Sequence, residues 1–91
     1  MLIVVSYDIE SDRTRTHLAN KLKDFGPRVQ FSVFEADVNE NELQRLYQKL
    51  ANVKLGKADS IRLYRVCGEC AKSIKIWGVG VVTKDRDYYI A

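Results

Sequence analysis

The chain is poor in the residues that many functional architectures require. It has one histidine, two cysteines, one tryptophan and one proline in 91 residues. A single histidine, His17, with no serine or cysteine placed beside it gives no support to a nucleophile–base triad. Two cysteines make no disulfide framework. A closed zinc site needs four ligands, so Cys67 and Cys70 would have to borrow two from His17 or from a second copy of the chain. No apolar run approaches the ~18 residues of a membrane span. The opening Met1-Leu2-Ile3-Val4-Val5 has no basic leader and no small-residue cleavage site, and Asp8 and Glu10 end it. It reads as a strand, not as a signal peptide. A cytoplasmic protein with no membrane partner is expected.

What is present belongs to a folded domain. The chain is 46% hydrophobic and 30% charged, with five glycines, which separates it from disordered and collagen-like sequences. Ninety-one residues leave room for one domain, 1–91, and exclude multi-domain enzymes. A chain of this size buries only roughly 60–65% of the surface its unfolded form exposes. With no disulfides or metal cage to compensate, a second copy of itself is the expected remedy. The net charge is a mild +3, but its distribution is uneven. Residues 53–91 carry eight basic and four acidic side chains, whereas residues 31–52 carry two and four. Either one face is basic and a dimer doubles it, or the surface is simply mixed and well solvated.

Periodicity organises the chain. Leu2 to Ile9 is a β-branched apolar run of strand length. Ser11 or Asp12 offers a helix cap, and Leu18, Ala19, Leu22 and Phe25 follow at helical spacing. Gly26-Pro27 stops that helix, with the glycine expected in the left-handed conformation. Arg28 to Val38 alternates as a strand. Asn39 to Glu42 has capping-box spacing, and Leu43, Leu46, Tyr47, Leu50 and Val53 form a second amphipathic helix. Ile61 to Cys67 is a third strand, Cys67-Gly68-Glu69-Cys70 a turn and Ile74 to Trp77 a fourth strand. Gly78 and Gly80 predict a bend, and Tyr88-Tyr89-Ile90 a short terminal strand. The order is β-α-β-α-β-β plus that terminal strand, or β-α-β-β-α-β if Arg28–Val38 folds as a hairpin. In the second case two helices cover one sheet face, and the other face, with Phe34 expected on it, is left bare for dimerisation.

Asp8 is the most informative polar residue. It ends the first strand, on the face of Ser6 and opposite Tyr7 and Ile9. One carboxylate is a poor metal site, but Mg²⁺ keeps most of its waters and needs few protein ligands. Two copies of Asp8 brought together by a two-fold axis would bind a hard cation, which could activate water against a phosphodiester. The plainer alternative has Asp8 capping the helix or pairing with Arg13. Arg13, Arg15 and Arg28 flank the two ends of the first helix and suit phosphates or simple solvation. Arg62, Arg65, Lys72 and Lys75, interleaved with Tyr64 and Trp77, suit a nucleic-acid backbone. Those aromatics fit a core or a dimer interface equally well. The lone CxxC is open between ordinary thiols, a labile disulfide and a metal bridge.

Val5-Ser6-Tyr7-Asp8-Ile9, a polar turn with a basic helix, and then Gly26-Pro27-Arg28-Val29-Gln30-Phe31-Ser32-Val33-Phe34-Glu35 together resemble the CRISPR-associated protein 2 family over nearly the whole chain. The resemblance implies an α+β, ferredoxin-like β-α-β-β-α-β sandwich with an extra C-terminal strand, at about residues 86–91, exchanged between the chains of a homodimer. It implies a metal-dependent endonuclease acting on single-stranded RNA or double-stranded DNA, with Mg²⁺ or Mn²⁺ between the two Asp8 carboxylates. It also implies the central dimer of the spacer-integration complex, partnered with CRISPR-associated protein 1, the integrase. Residue by residue, Tyr7, Asp8, Arg15, Arg28 and Phe34 fall on the family's site positions. His17 stands where some members carry a second helix arginine. The CxxC segment has no counterpart in the pattern.

Overall fold

The computed structural model describes residues 1–80. Their elements are β1 (Leu2–Asp8), α1 (Asp12–Leu22), β2 (Arg28–Gln30), β3 (Val33–Asp37), α2 (Glu40–Ala51), β4 (Ser60–Val66) and α3 (Gly68–Lys72). The four strands form one sheet in the order β2-β3-β1-β4, and every neighbouring pair is antiparallel. This is the ferredoxin-like β-α-β-β-α-β arrangement with a short helix added after β4. Among the described residues no helix is long and apolar enough to cross a membrane.

The hairpin reading of residues 28–38 is the one adopted. Phe31 and Ser32 leave the alternation and make the turn between β2 and β3, with a register shift between Arg28 and Gln30. The Tyr7 N–H donates to the Ser32 carbonyl at 3.1 Å, so the turn is tied to the end of β1. β1 is central, paired with β3 on one side and β4 on the other. Its residues Ile3, Val5 and Tyr7, with Ile9 just beyond, bury against Phe34, Ala36 and Val38 of the β3 segment, Leu18, Ala19 and Leu22 of α1, and Leu43 and Leu46 of α2. The period of two thus puts one side of β1 wholly into the core, and both long helices cover that side. Each such side chain stabilises by about 1.5–3 kcal/mol relative to exposure.

Helix boundaries follow the caps. The Ser11 hydroxyl accepts the Thr14 N–H at 3.2 Å and starts α1. Asn39 accepts from the Glu42 N–H at 2.8 Å while Glu42 accepts from the Asn39 N–H at 3.0 Å, a reciprocal capping box for α2.

Four expectations are corrected. Phe34 is on the helix-covered face and 2% exposed, not on the open face. Its neighbours Val33 and Glu35 occupy the open side; alternation separates the two sides of a strand but does not say which one the helices cover. Gly26 does not take a left-handed conformation. It is needed because α1 exits directly against β3, where a Cβ would collide with the Glu35 carbonyl oxygen and crowd Ala36 Cα. The Cys67–Cys70 segment is the start of α3, not a turn, with Cys67 as its N-cap. Ile74 to Trp77 is not a strand; β4 already fills the sheet edge beside β1. Gly78, with φ of 93°, supplies the expected bend. The terminal strand at Tyr88-Tyr89-Ile90 lies outside the described residues.

Candidate functional site

β1 displays different chemistry on its two sides. Asp8, its last residue, is exposed and lies opposite Ser60 on β4. Ser6, two residues back on the same side, lies opposite Arg62, and Val4 opposite Tyr64. Ser6, Asp8, Ser60, Arg62 and Tyr64 line an open cleft of about 260 Å³ on the sheet face that α1 and α2 leave uncovered. β1 and β4 therefore combine to place one carboxylate, two hydroxyls, one guanidinium and one phenol ring together.

Asp59 fixes this end of the sheet, and the sequence reading passed over it. One carboxylate oxygen accepts the Glu10 N–H at 3.0 Å and the other accepts the Gly56 N–H at 2.8 Å. Those two bonds hold the carboxyl below its ordinary range, Glu10 contributing most. Asp59 thereby ties the loop after Asp8 to the loop before Ser60. The signal was available in Gly56-Lys57-Ala58-Asp59, an aspartate closing a glycine turn just before a strand.

Tyr7 points the other way. Its ring is 4% exposed and stacks on Phe34 with centroids 6.3 Å apart and 26° between planes. Burial pushes its hydroxyl above the usual phenol range, while the Arg28 and Arg15 charges pull back. Tyr7, Asp12, Arg15, Lys23, Arg28 and Phe31 line a second cleft, of about 300 Å³, on the helix side. Arg15 is held there by the Ile9 carbonyl, which accepts from its guanidinium at 2.8 Å, and by an ion pair with Asp12. Arg28 lies 5.9 Å from the centre of the Phe31 ring, which sits 75% exposed at the hairpin turn.

The five residues singled out by sequence thus divide. Asp8 stands on the open face. Tyr7, Arg15 and Arg28 meet on the covered side, and Phe34 supports Tyr7 from the core. The helix cap is Ser11, not Asp8. The basic residues of β4 divide too: Arg62 joins Asp8, whereas Arg65, in register with Ile3, reaches Glu40 at 3.9 Å. His17 is exposed on α1.

Metal chemistry fits only in part. Among the described residues no three His, Cys, Asp or Glu side chains gather as a metal site. The open face offers oxygen donors alone, Asp8 flanked by Ser6 and Ser60, a set suited to a hard cation and not to zinc. One carboxylate per chain leaves that set incomplete without a second copy.

Comparison with known proteins identifies the lineage. A family model described as CRISPR associated protein Cas2 matches residues 1–74. A Chloroflexus aurantiacus protein named CRISPR-associated endoribonuclease Cas2 3 is 40% identical over 90 residues, covering 99% of this chain and 97% of that one. The crystal structure of Streptococcus pyogenes Cas2 superposes with a TM-score of 0.73 at 30% identity, covering 86% of this chain and 100% of the other. A chain of a partial Cas6-RT-Cas1–Cas2 complex superposes with a TM-score of 0.65 at 26% identity, over 82% of this chain and 88% of that one. With the Tyr7-Asp8 strand end, the Arg28–Glu35 hairpin and the second helix all inside the matched span, the chain belongs to the CRISPR associated protein Cas2 family.

Proposed function

We propose that this protein is a metal-dependent endonuclease, with single-stranded RNA as its first-choice substrate, and that it works as a homodimer in CRISPR spacer acquisition. The observation that carries the reading is the placement of Asp8: exposed, at the end of the central strand, on the sheet face that neither α1 nor α2 covers, beside Arg62. Two such faces brought together would pair two carboxylates and complete the oxygen-donor set for Mg²⁺ or Mn²⁺. A cation of that kind, when bound, neutralises phosphate charge and lowers the pKa of a coordinated water. The protein's own groups then have separable tasks. Asp8 supplies the anionic anchor. Arg62 attracts a phosphate oxygen to the same cleft, and Tyr64 offers it an aromatic wall. Arg28 with Phe31, on the other side of β1, suits the next stretch of strand, a guanidinium for phosphate and a ring for a base. The relative named as an endoribonuclease supports RNA as the substrate.

A second reading is favoured by the neighbour that comes from a Cas1–Cas2 assembly. In it the protein is a non-catalytic DNA-binding dimer that bridges CRISPR-associated protein 1 subunits.

Asp8→Asn separates the two readings. It should abolish cation-dependent cleavage while leaving salt-sensitive nucleic-acid binding in place. Cleavage by Asp8→Asn at the parent rate would overturn the nuclease reading. Spacer integration that survives the substitution would favour the bridging one.

A further inference from the structure

α3 changes what the Cys67-Gly68-Glu69-Cys70 segment is. Cys67 caps the helix, its sulfur accepting the Cys70 N–H at 3.3 Å. The N-cap sulfur folds back onto the Cys70 N–H, which brings both cysteines to the first turn of α3. Both cysteines are exposed, while Ala71, the next residue along α3, is buried. The turn is therefore anchored by its apolar residue and presents its thiols to solvent. The chain has no other cysteine, so an oxidation within it can join only these two.

The pair is asymmetric. The Cys70 thiol donates to the Cys67 sulfur and pulls the Cys67 pKa down, with help from backbone N–H groups, although the Glu69 charge opposes this. The same bond pushes Cys70 up. The thiolate is the nucleophile in thiol–disulfide exchange, so the two sulfurs have distinct roles.

We propose that Cys67 and Cys70 are a reactive dithiol that closes reversibly to an intrachain disulfide on reaction with a low-molecular-weight disulfide. The Cys67 thiolate attacks one sulfur of the oxidant, breaks its S–S bond and expels one small thiolate, leaving a mixed disulfide on Cys67. Cys70 loses its proton to water and attacks the Cys67 sulfur, forming the intrachain bond and expelling the second small thiolate. The protein is oxidised by two electrons, and the oxidant becomes two thiols. This site is separate from Asp8: Cys67 follows Val66, which lies opposite Leu2 at the far end of β1, about 20 Å along the strand. The new bond ties down the turn from which the chain leaves β4 for residues 74–80, which with β2 and β3 line a cleft of about 570 Å³.

The test treats the full chain with oxidised glutathione, alkylates the remaining thiols and measures intact mass. The expected result is loss of both free thiols with no retained glutathione, reversed by dithiothreitol. Cys70→Ser should trap glutathione on Cys67. Cys67→Ser keeps a good helix cap and should hold glutathione on Cys70 with no intrachain bond. The proposal is overturned if both wild-type thiols remain alkylatable, or if the wild type accumulates a glutathione adduct or a disulfide-linked dimer.

Discussion

Tyr7 and Asp8 are neighbours in the chain and occupy opposite faces of the sheet: the tyrosine ring stacks on Phe34 in the core, and the carboxylate stands exposed across from Ser60. The turn of one residue along β1 thus separates a buried ring from an exposed carboxylate. Residues that a motif groups together therefore differ in what their loss should do.

Phe34 should be a stability residue. It is buried among the Tyr7 ring and the apolar residues of both long helices. Phe34→Ala should lower unfolding free energy by about 3–5 kcal/mol. Phe34→Leu should cost less and, below its melting temperature, should retain cleavage. Denaturant titration and a nuclease assay on the same samples check this. A folded Phe34→Leu with no cleavage would place Phe34 in the reaction instead.

Asp59 should make the fold acid-sensitive. Its carboxyl is held below the ordinary range by the Glu10 and Gly56 N–H groups. A group with a depressed folded pKa stabilises fully above its unfolded pKa, and the effect is lost as pH falls toward the folded value. The wild type should therefore lose stability on acidification below about pH 4. Asp59→Ala should be less stable than wild type at neutral pH, with the gap narrowing in acid. Melting temperature against pH for both proteins measures it; a gap that stays constant across that range would remove Asp59 from the account.

Phe31 should matter to binding and not to folding. It is three-quarters exposed at the hairpin turn, with Arg28 over its ring. Phe31→Ala should leave the melting temperature within a degree or two. It should weaken single-stranded nucleic-acid binding by about 1–3 kcal/mol, the usual range for one stacked base. Fluorescence anisotropy reads the loss, and unchanged affinity would leave Phe31 as an ordinary surface ring.

Much of the fold was legible in the residues. The strand Leu2–Asp8, the Ser11 cap and the Asn39–Glu42 box are local signals that the packing merely completes. The β2–β3 hairpin was harder. Phe31-Ser32 carries none of the glycine or asparagine that marks a tight turn, and its position is set by Tyr7 N–H reaching the Ser32 carbonyl, a contact between residues 25 apart in sequence. Phe34 was put on the wrong face because alternation separates the two sides of a strand without saying which one the helices cover. α3 was hidden because five residues with a glycine carry no periodicity. Within the site, Asp8 could be found from its position at a strand end. Arg62 and Asp59 could not be joined to it without the β1–β4 register, which is a tertiary fact.

The central claim is that two Asp8 carboxylates from two chains serve one reaction centre. It is tested most directly by mixing wild-type and Asp8→Asn chains in equal amounts, exchanging subunits by unfolding and refolding, and measuring cation-dependent cleavage at constant total protein. If both carboxylates are required, only dimers with two wild-type chains act, and about a quarter of the activity of the unmixed wild type remains. If each chain carries its own complete site, about half remains, and that result would contradict the shared centre.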